Sequence, residues 1–207
     1  MKKSPKVANA AMPIGKLFAA TLMLIFLMLA MQHAVAQDKW SVGLRGAYNI
    51  PTQDLADASL DNGFGFEGTI AYRFLPNLSI NTGWGWNKFA ADQSFAGADM
   101  EFEETGYMLG LQLIQPIAQS RISYLLGAGG IYNHIEVENN DGDIIADSSH
   151  GLGWQADAGF SFLLGERLSL QPTVRYRALS REIEIENTTT ELDLNYVSVG
   201  LGINLAF

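Results

Sequence analysis

The sequence predicts an all-β protein, an eight-stranded antiparallel up-and-down transmembrane β-barrel. Three observations carry that expectation. Past Trp40 the apolar residues recur at period two, the period of a strand, and no stretch is long enough for a membrane helix. Eight segments show the alternation, and the connections between them are alternately short and long. The face opposite the apolar row mixes Gly, Ser and Asn with isolated charges, a composition suited to a cramped interior rather than a solvated surface.

Successive strand side chains point to opposite faces, so each segment divides into an outer and an inner row. Trp40 to Ile50 sets Trp40, Val42, Leu44, Tyr48 and Ile50 against Ser41, Gly43, Arg45, Ala47 and Asn49. Phe64 to Phe74 sets Phe66, Ile70 and Tyr72 against Glu67, Thr69 and Arg73, and Leu78 to Lys88 sets Ile80, Trp84 and Trp86 against Ser79, Asn81 and Asn87. The fourth segment, about Glu103 to Ile117, turns Tyr107, Leu109 and Leu111 outward and Gly106, Met108 and Gln112 inward. In the fifth, Ile122 to about Val137, Leu125 and Ile131 break the polar inner row. Leu152 to Leu164 carries Gln155 and Asp157 inward, and Leu168 to about Ile185 carries Thr173, Arg175 and Arg177 inward. The final segment, Tyr196 to Phe207, alternates Val197, Val199, Leu201, Ile203, Leu205 and Phe207 with Ser198, Gly200, Gly202 and Asn204.

Keeping the apolar row on one side across each hairpin requires short links at Leu75–Asn77, Ala118–Arg121 and Gly165–Arg167. The alternate connections, Pro51–Gly63, Phe89–Phe102, Glu138–His150 and Asn187–Glu191, are longer and acidic. Short turns at one end and long loops at the other are the asymmetry of outer-membrane barrels. An even strand count returns both termini to the periplasmic end, and pairing of the first strand with the last leaves no open edge.

Upstream of the strands, Lys2, Lys3, Lys6 and Lys16 precede or open an apolar run, Leu17 to Leu29, and Ala34-Val35-Ala36 follows it. This is the pattern of a cleaved signal peptide over residues 1–36, too short for the roughly 20 residues of a membrane helix. The expected mature chain is one domain, residues 37–207. Cleavage removes four of the 13 basic residues and none of the 22 acids, leaving a net charge near −13. Such a surface excludes nucleic acid as a partner. The absence of Cys excludes disulfides and thiolate metal sites.

With these features the chain resembles the small eight-stranded outer-membrane barrels, a family that includes the membrane domain of OmpA, the OmpX/Ail group and the opacity-type proteins. The resemblance covers Gln37 to Phe207 and rests on signal peptide, strand count, turn asymmetry and terminal Phe. It implies a bacterial outer-membrane location, lipid and lipopolysaccharide as surroundings, and Phe207 as the assembly signal read by the barrel-insertion machinery. It says little about activity, because one fold hosts many functions.

Chemistry is sparse. Arg45, Glu67, Arg73, Asp157, Arg175 and Arg177 form an expected lumen charge network, with Asp157 directly opposite Arg175 across the short Gly165–Arg167 link. Charges within a membrane span must be paired, and in an eight-stranded barrel they fill the interior rather than line a channel. His134, Glu136 and His150 with Ser148 or Ser149 form a weak candidate for a lipid-modifying site. Asn139 to Asp143 lacks the spacing and bidentate Glu of a calcium loop and reads as a turn. No catalytic residue, cofactor or metal is therefore expected. The expectation is a monomeric, non-enzymatic structural or surface-interaction barrel acting through four acidic external loops on an unidentified ligand, with a small-solute pore and a lipid-modifying enzyme as the alternatives.

Overall fold

The computed structural model describes residues 39–207 apart from 57, 140, 186 and 187. The expected signal peptide, residues 1–36, lies outside them. The described residues form strands β1 (Trp40–Pro51), β2 (Gly63–Leu75), β3 (Leu78–Ser94), β4 (Gly97–Pro116), β5 (Ile122–Glu138), β6 (Ile144–Asp147), β7 (Gly151–Leu163), β8 (Leu168–Ile185) and β9 (Thr188–Ala206). All neighbouring pairs are antiparallel, and β1 pairs with β9 from Ser41↔Ala206 to Pro51↔Tyr196. That ladder closes the ring. Eight strands form it in chain order, with β6 left out. Closure satisfies every ladder internally, as hydrocarbon demands of a spanning β-structure.

The alternation assigns the faces correctly. Leu44, Ile70, Leu109, Leu111, Leu126, Val174, Val199 and Ile203 stand on the outer face, about half exposed or more. Aromatic side chains flank this apolar band. Trp40 packs on Tyr72 toward the short turns, while Phe64, Phe66, Trp84 and Trp86 cluster toward the long connections with ring centroids 5.5–5.7 Å apart. Two such rows are the girdles of a membrane barrel.

Two features of the fold differ from the sequence reading. The connection Phe89–Phe102 is not an open loop, because β3 and β4 continue their ladder to Ser94↔Gly97. Likewise β8 and β9 pair as far as Ile185↔Thr188. These two acidic segments are hairpins standing beyond the apolar band. The third connection contains an additional strand, β6, which extends the β7 side of β5. Asn133 pairs with Gly151, yet Glu136 pairs with Asp147, so the register slips by one residue across Ser148–His150. A four-residue strand bounded by a slip has too few alternations to be read from sequence.

Candidate functional site

Inward side chains stack in three layers from the short-turn end upward. The lowest is a vestibule of about 390 Å³ lined by Ser41, Ser79, Ser123, Ser161, Ser169 and Arg73, among other residues. Its polar, small side chains leave a recess open to solvent. Arg73 therefore belongs to the vestibule and not to the central charge network, which corrects the expected set. Its inward parity holds, and its depth is something that parity does not give.

The middle layer is the ion network. β1 and β2 hold Arg45 and Glu67 opposite each other, while β7 and β8 hold Asp157 opposite Arg175, as expected. Across the lumen, Arg175 Nη1 donates to Glu67 Oε2 at 2.5 Å, and Arg177 Nη2 donates to the same oxygen at 3.2 Å. Asp157 is the more distant partner, with Oδ1 3.5 Å from an Arg175 Nε that makes no hydrogen bond. Among the described residues Arg45 forms no ion pair with a carboxylate: its Nε donates to Thr173 Oγ1 and its Nη2 to Ser198 Oγ, both at 3.0 Å. Gly200 makes that arrangement possible. A Cβ there would clash with the Arg45 guanidinium, which would have to move.

A second carboxylate completes the layer. Glu104, 2% exposed, accepts from Arg177 Nη1 at 2.9 Å, Asn87 Nδ2 at 3.0 Å and Tyr196 OH at 2.5 Å, and also from Asn133 Nδ2. Gln155 Oε1 accepts two further bonds from Arg177. Charge-assisted bonds of this number satisfy both ions in a confined space. Glu104 and Tyr196 were missed by the sequence reading, although parity from Gly106 and Ser198 places both inward. They lay at the margins of segments whose ends period-two reasoning does not define.

The third layer overturns the expectation of a polar interior throughout. Toward the long connections the lumen is filled by Phe89, Phe102, Ile135, Val137, Ile183, Leu192 and Leu194, all 0–1% exposed. Leu125 and Ile131, which break the polar row of β5, are inward and buried like them. The β1–β2 loop closes the top: Leu55 and Ala58 exchange backbone hydrogen bonds at 2.9 Å, and both side chains are fully buried in this cluster. Arg181 links the wall beside it, donating to the carbonyls of Asn133, Leu152 and Gly151.

On the outer face, beyond the aromatic row, Lys88 Nζ bridges Glu101, Glu103 and Glu138 at 2.5, 3.0 and 3.6 Å. Burial works against its charge, but hydrogen bonds to Glu101 and Glu103 hold the ammonium above its usual range. Partial burial, then repulsion from Glu103, pushes the Glu138 carboxyl up. His134 contacts Asp147, Glu136 and the ring of His150. Of the two serines in the lipid-modifying candidate, Ser148 is buried and its Oγ accepts from Ile135 N at 2.8 Å, while Ser149 is exposed. Asn139 Oδ1 accepts from the backbone of Asp141 and Asp143, and Gly142 takes φ 80°, the turn expected there.

The sequence matches the family model for the outer membrane protein beta-barrel domain over residues 20–207. The chain belongs to that family. Its fold is similar to Neisserial surface protein A, with 16% identity, 83% of this chain and 99% of that chain covered, and a TM-score of 0.62. It is also similar to OprG from Pseudomonas aeruginosa, at 15% identity over 82% and 97% of the chains and a TM-score of 0.56. Outer membrane protein W of E. coli gives 15%, 83%, 98% and 0.55 in the same terms. Likeness at this identity shows the fold alone; the outer membrane as its setting follows from the family match. No curated protein matches the sequence.

Proposed function

We propose that this chain is a closed, non-enzymatic barrel of the outer membrane, acting in a structural or surface-interaction role through its long-connection end. The observation that carries the reading is the double obstruction of the lumen. Glu67 and Glu104 with Arg175 and Arg177 cross the middle layer, and an apolar layer capped by Leu55 and Ala58 lies above it. Eight strands enclose a space that side chains can fill, and here they do. The reading takes residues 1–36 as a cleaved export signal, which sets the termini and short turns in the periplasm and the acidic hairpins outside. Its partners are outer-membrane lipid and lipopolysaccharide, the insertion machinery acting on the C-terminal strand, and an external ligand met as a monomer.

Planar-bilayer recording tests it. The purified barrel inserted at neutral pH is expected to give no steady single-channel openings. Reproducible openings with stable conductance would replace this reading by the small-solute pore.

A further inference from the structure

We infer that His134, Glu136 and Asp147 form a divalent transition-metal site on the outer wall, just beyond the aromatic row. One ligand atom from each lies within 4.8 Å of the others. His134 Nδ1 is 2.7 Å from Asp147 Oδ1, and its Nε2 is 3.7 Å from Glu136 Oε1. These contacts reach opposite nitrogens of the ring, and one ion takes only one of them. Ligands of a tetrahedral ion with bonds near 2.0–2.2 Å lie about 3.3 Å apart, so atoms within 4.8 Å of one another come together by side-chain shifts of up to about 1.5 Å. One imidazole and two carboxylates suit Zn²⁺ and its first-row neighbours better than Ca²⁺ or Mg²⁺, which take oxygen ligands.

The backbone aims these groups. With the register of Asn133↔Gly151 continued, Asp147 would oppose Val137, whose side chain is buried in the lumen. The one-residue slip across Ser148–His150 turns Asp147 to the outer face, directly opposite Glu136. Bulges commonly re-aim a side chain in this way beside functional sites. The β5–β7 register carried one rung past Asn133↔Gly151 brings His150 opposite His134, with ring centroids 4.3 Å apart and planes 13° from parallel, which restricts the His134 ring. Glu136 also opposes Glu103 across the β4–β5 ladder. Carboxylates directly opposite one another repel, and a bound dication relieves that repulsion at both rungs.

Access is open. Asp147 is half exposed and shares with His150 and Ser149 a shallow polar cleft that continues to Glu182 and Glu191. Of the three ligands Asp147 lines that cleft, and an ion held by three protein ligands keeps a coordination position that admits an external oxygen donor. The site is independent of whether the lumen conducts.

The test is calorimetric titration of ZnCl₂ into the folded barrel, purified from membranes and stripped with chelator. One Zn²⁺ per chain is expected, with affinity falling at least tenfold in His134→Ala and in Asp147→Asn. Glu138→Gln, in the neighbouring Lys88 cluster, should leave the isotherm unchanged. An unaltered isotherm in His134→Ala would overturn the proposal. So would several weak ions whose binding falls with Glu138→Gln instead. If His134→Ala fails to fold on heat-modifiability gels, Co²⁺ loaded into the unaltered protein decides: imidazole shifts on His134 support the site, and their absence overturns it.

Discussion

Glu67, Asp157 and Arg175 show how one ångström decides between partners. Asp157 lies opposite Arg175 on the neighbouring strand, yet Glu67, on the far wall, makes the 2.5 Å bond. Removing Glu67 leaves both guanidiniums short of a carboxylate, and breaking a buried pair from one side costs about 3–5 kcal/mol. Chemical unfolding in lipid is therefore expected to show a larger loss for Glu67→Gln than for Asp157→Asn. Double-mutant cycles should give stronger coupling for Glu67 with Arg175 than for Asp157 with Arg175. The reverse order would mean that the two carboxylates exchange roles. On the outer face, Leu111→Arg or Leu126→Arg places a cation in the apolar band and should cost about 2–4 kcal/mol. Ser123→Asn, inside the vestibule, should cost much less. Gly110 is unsuited as a tolerant control, since a Cβ there would sit 2.9 Å from Ala128 O and Asn81 Oδ1.

At the scale of the element, β9 is both the closing strand and the C-terminus. Trp40 N donates to Phe207 O at 3.1 Å, and Phe207 N donates to Trp40 O at 2.8 Å, so the last residue sits at the end of the β1–β9 ladder. Those bonds end a ladder that already runs from Ser41 to Pro51. Deleting Phe207 should consequently change refolding in detergent little. If Phe207 is the signal that the family resemblance implies, the same deletion in cells should cause degradation or accumulation before insertion. Surface labelling at unaltered levels would refute that role. The β1–β2 connection is the other informative element, because its Leu55 and Ala58 cap the apolar layer with no ladder to hold them there.

For the whole molecule, the decisive property is segregation along the barrel axis. Hydroxyls and amides line the short-turn end, ions cross the middle, and apolar side chains fill the opposite end. Solvent reaching the vestibule meets the ion layer, and ions beyond it would have to cross a mainly apolar layer. Leu55→Asp is therefore expected to destabilise the capped end without producing steady conductance, since the ion layer beneath it stays intact. Openings in that variant would assign the seal to the loop alone.

Period-two alternation was enough to read a closed membrane barrel, because lipid accepts only apolar side chains over a band of fixed height and each strand must cross it. It also placed Arg45, Glu67, Asp157, Arg175 and Arg177 inward, since parity along a strand admits no other choice. Parity says nothing about depth or about the wall opposite. Ring closure decided that Glu67 meets Arg175 at a sequence separation of 108 residues, while Arg73 stays in the vestibule. The tertiary structure likewise decided the apolar upper lumen, where β3, β4, β8 and β9 extend past the membrane and the inner row no longer has to be small and polar. The slip that turns Asp147 toward Glu136 has the same origin, a backbone register set by the neighbouring strand and invisible in a four-residue segment.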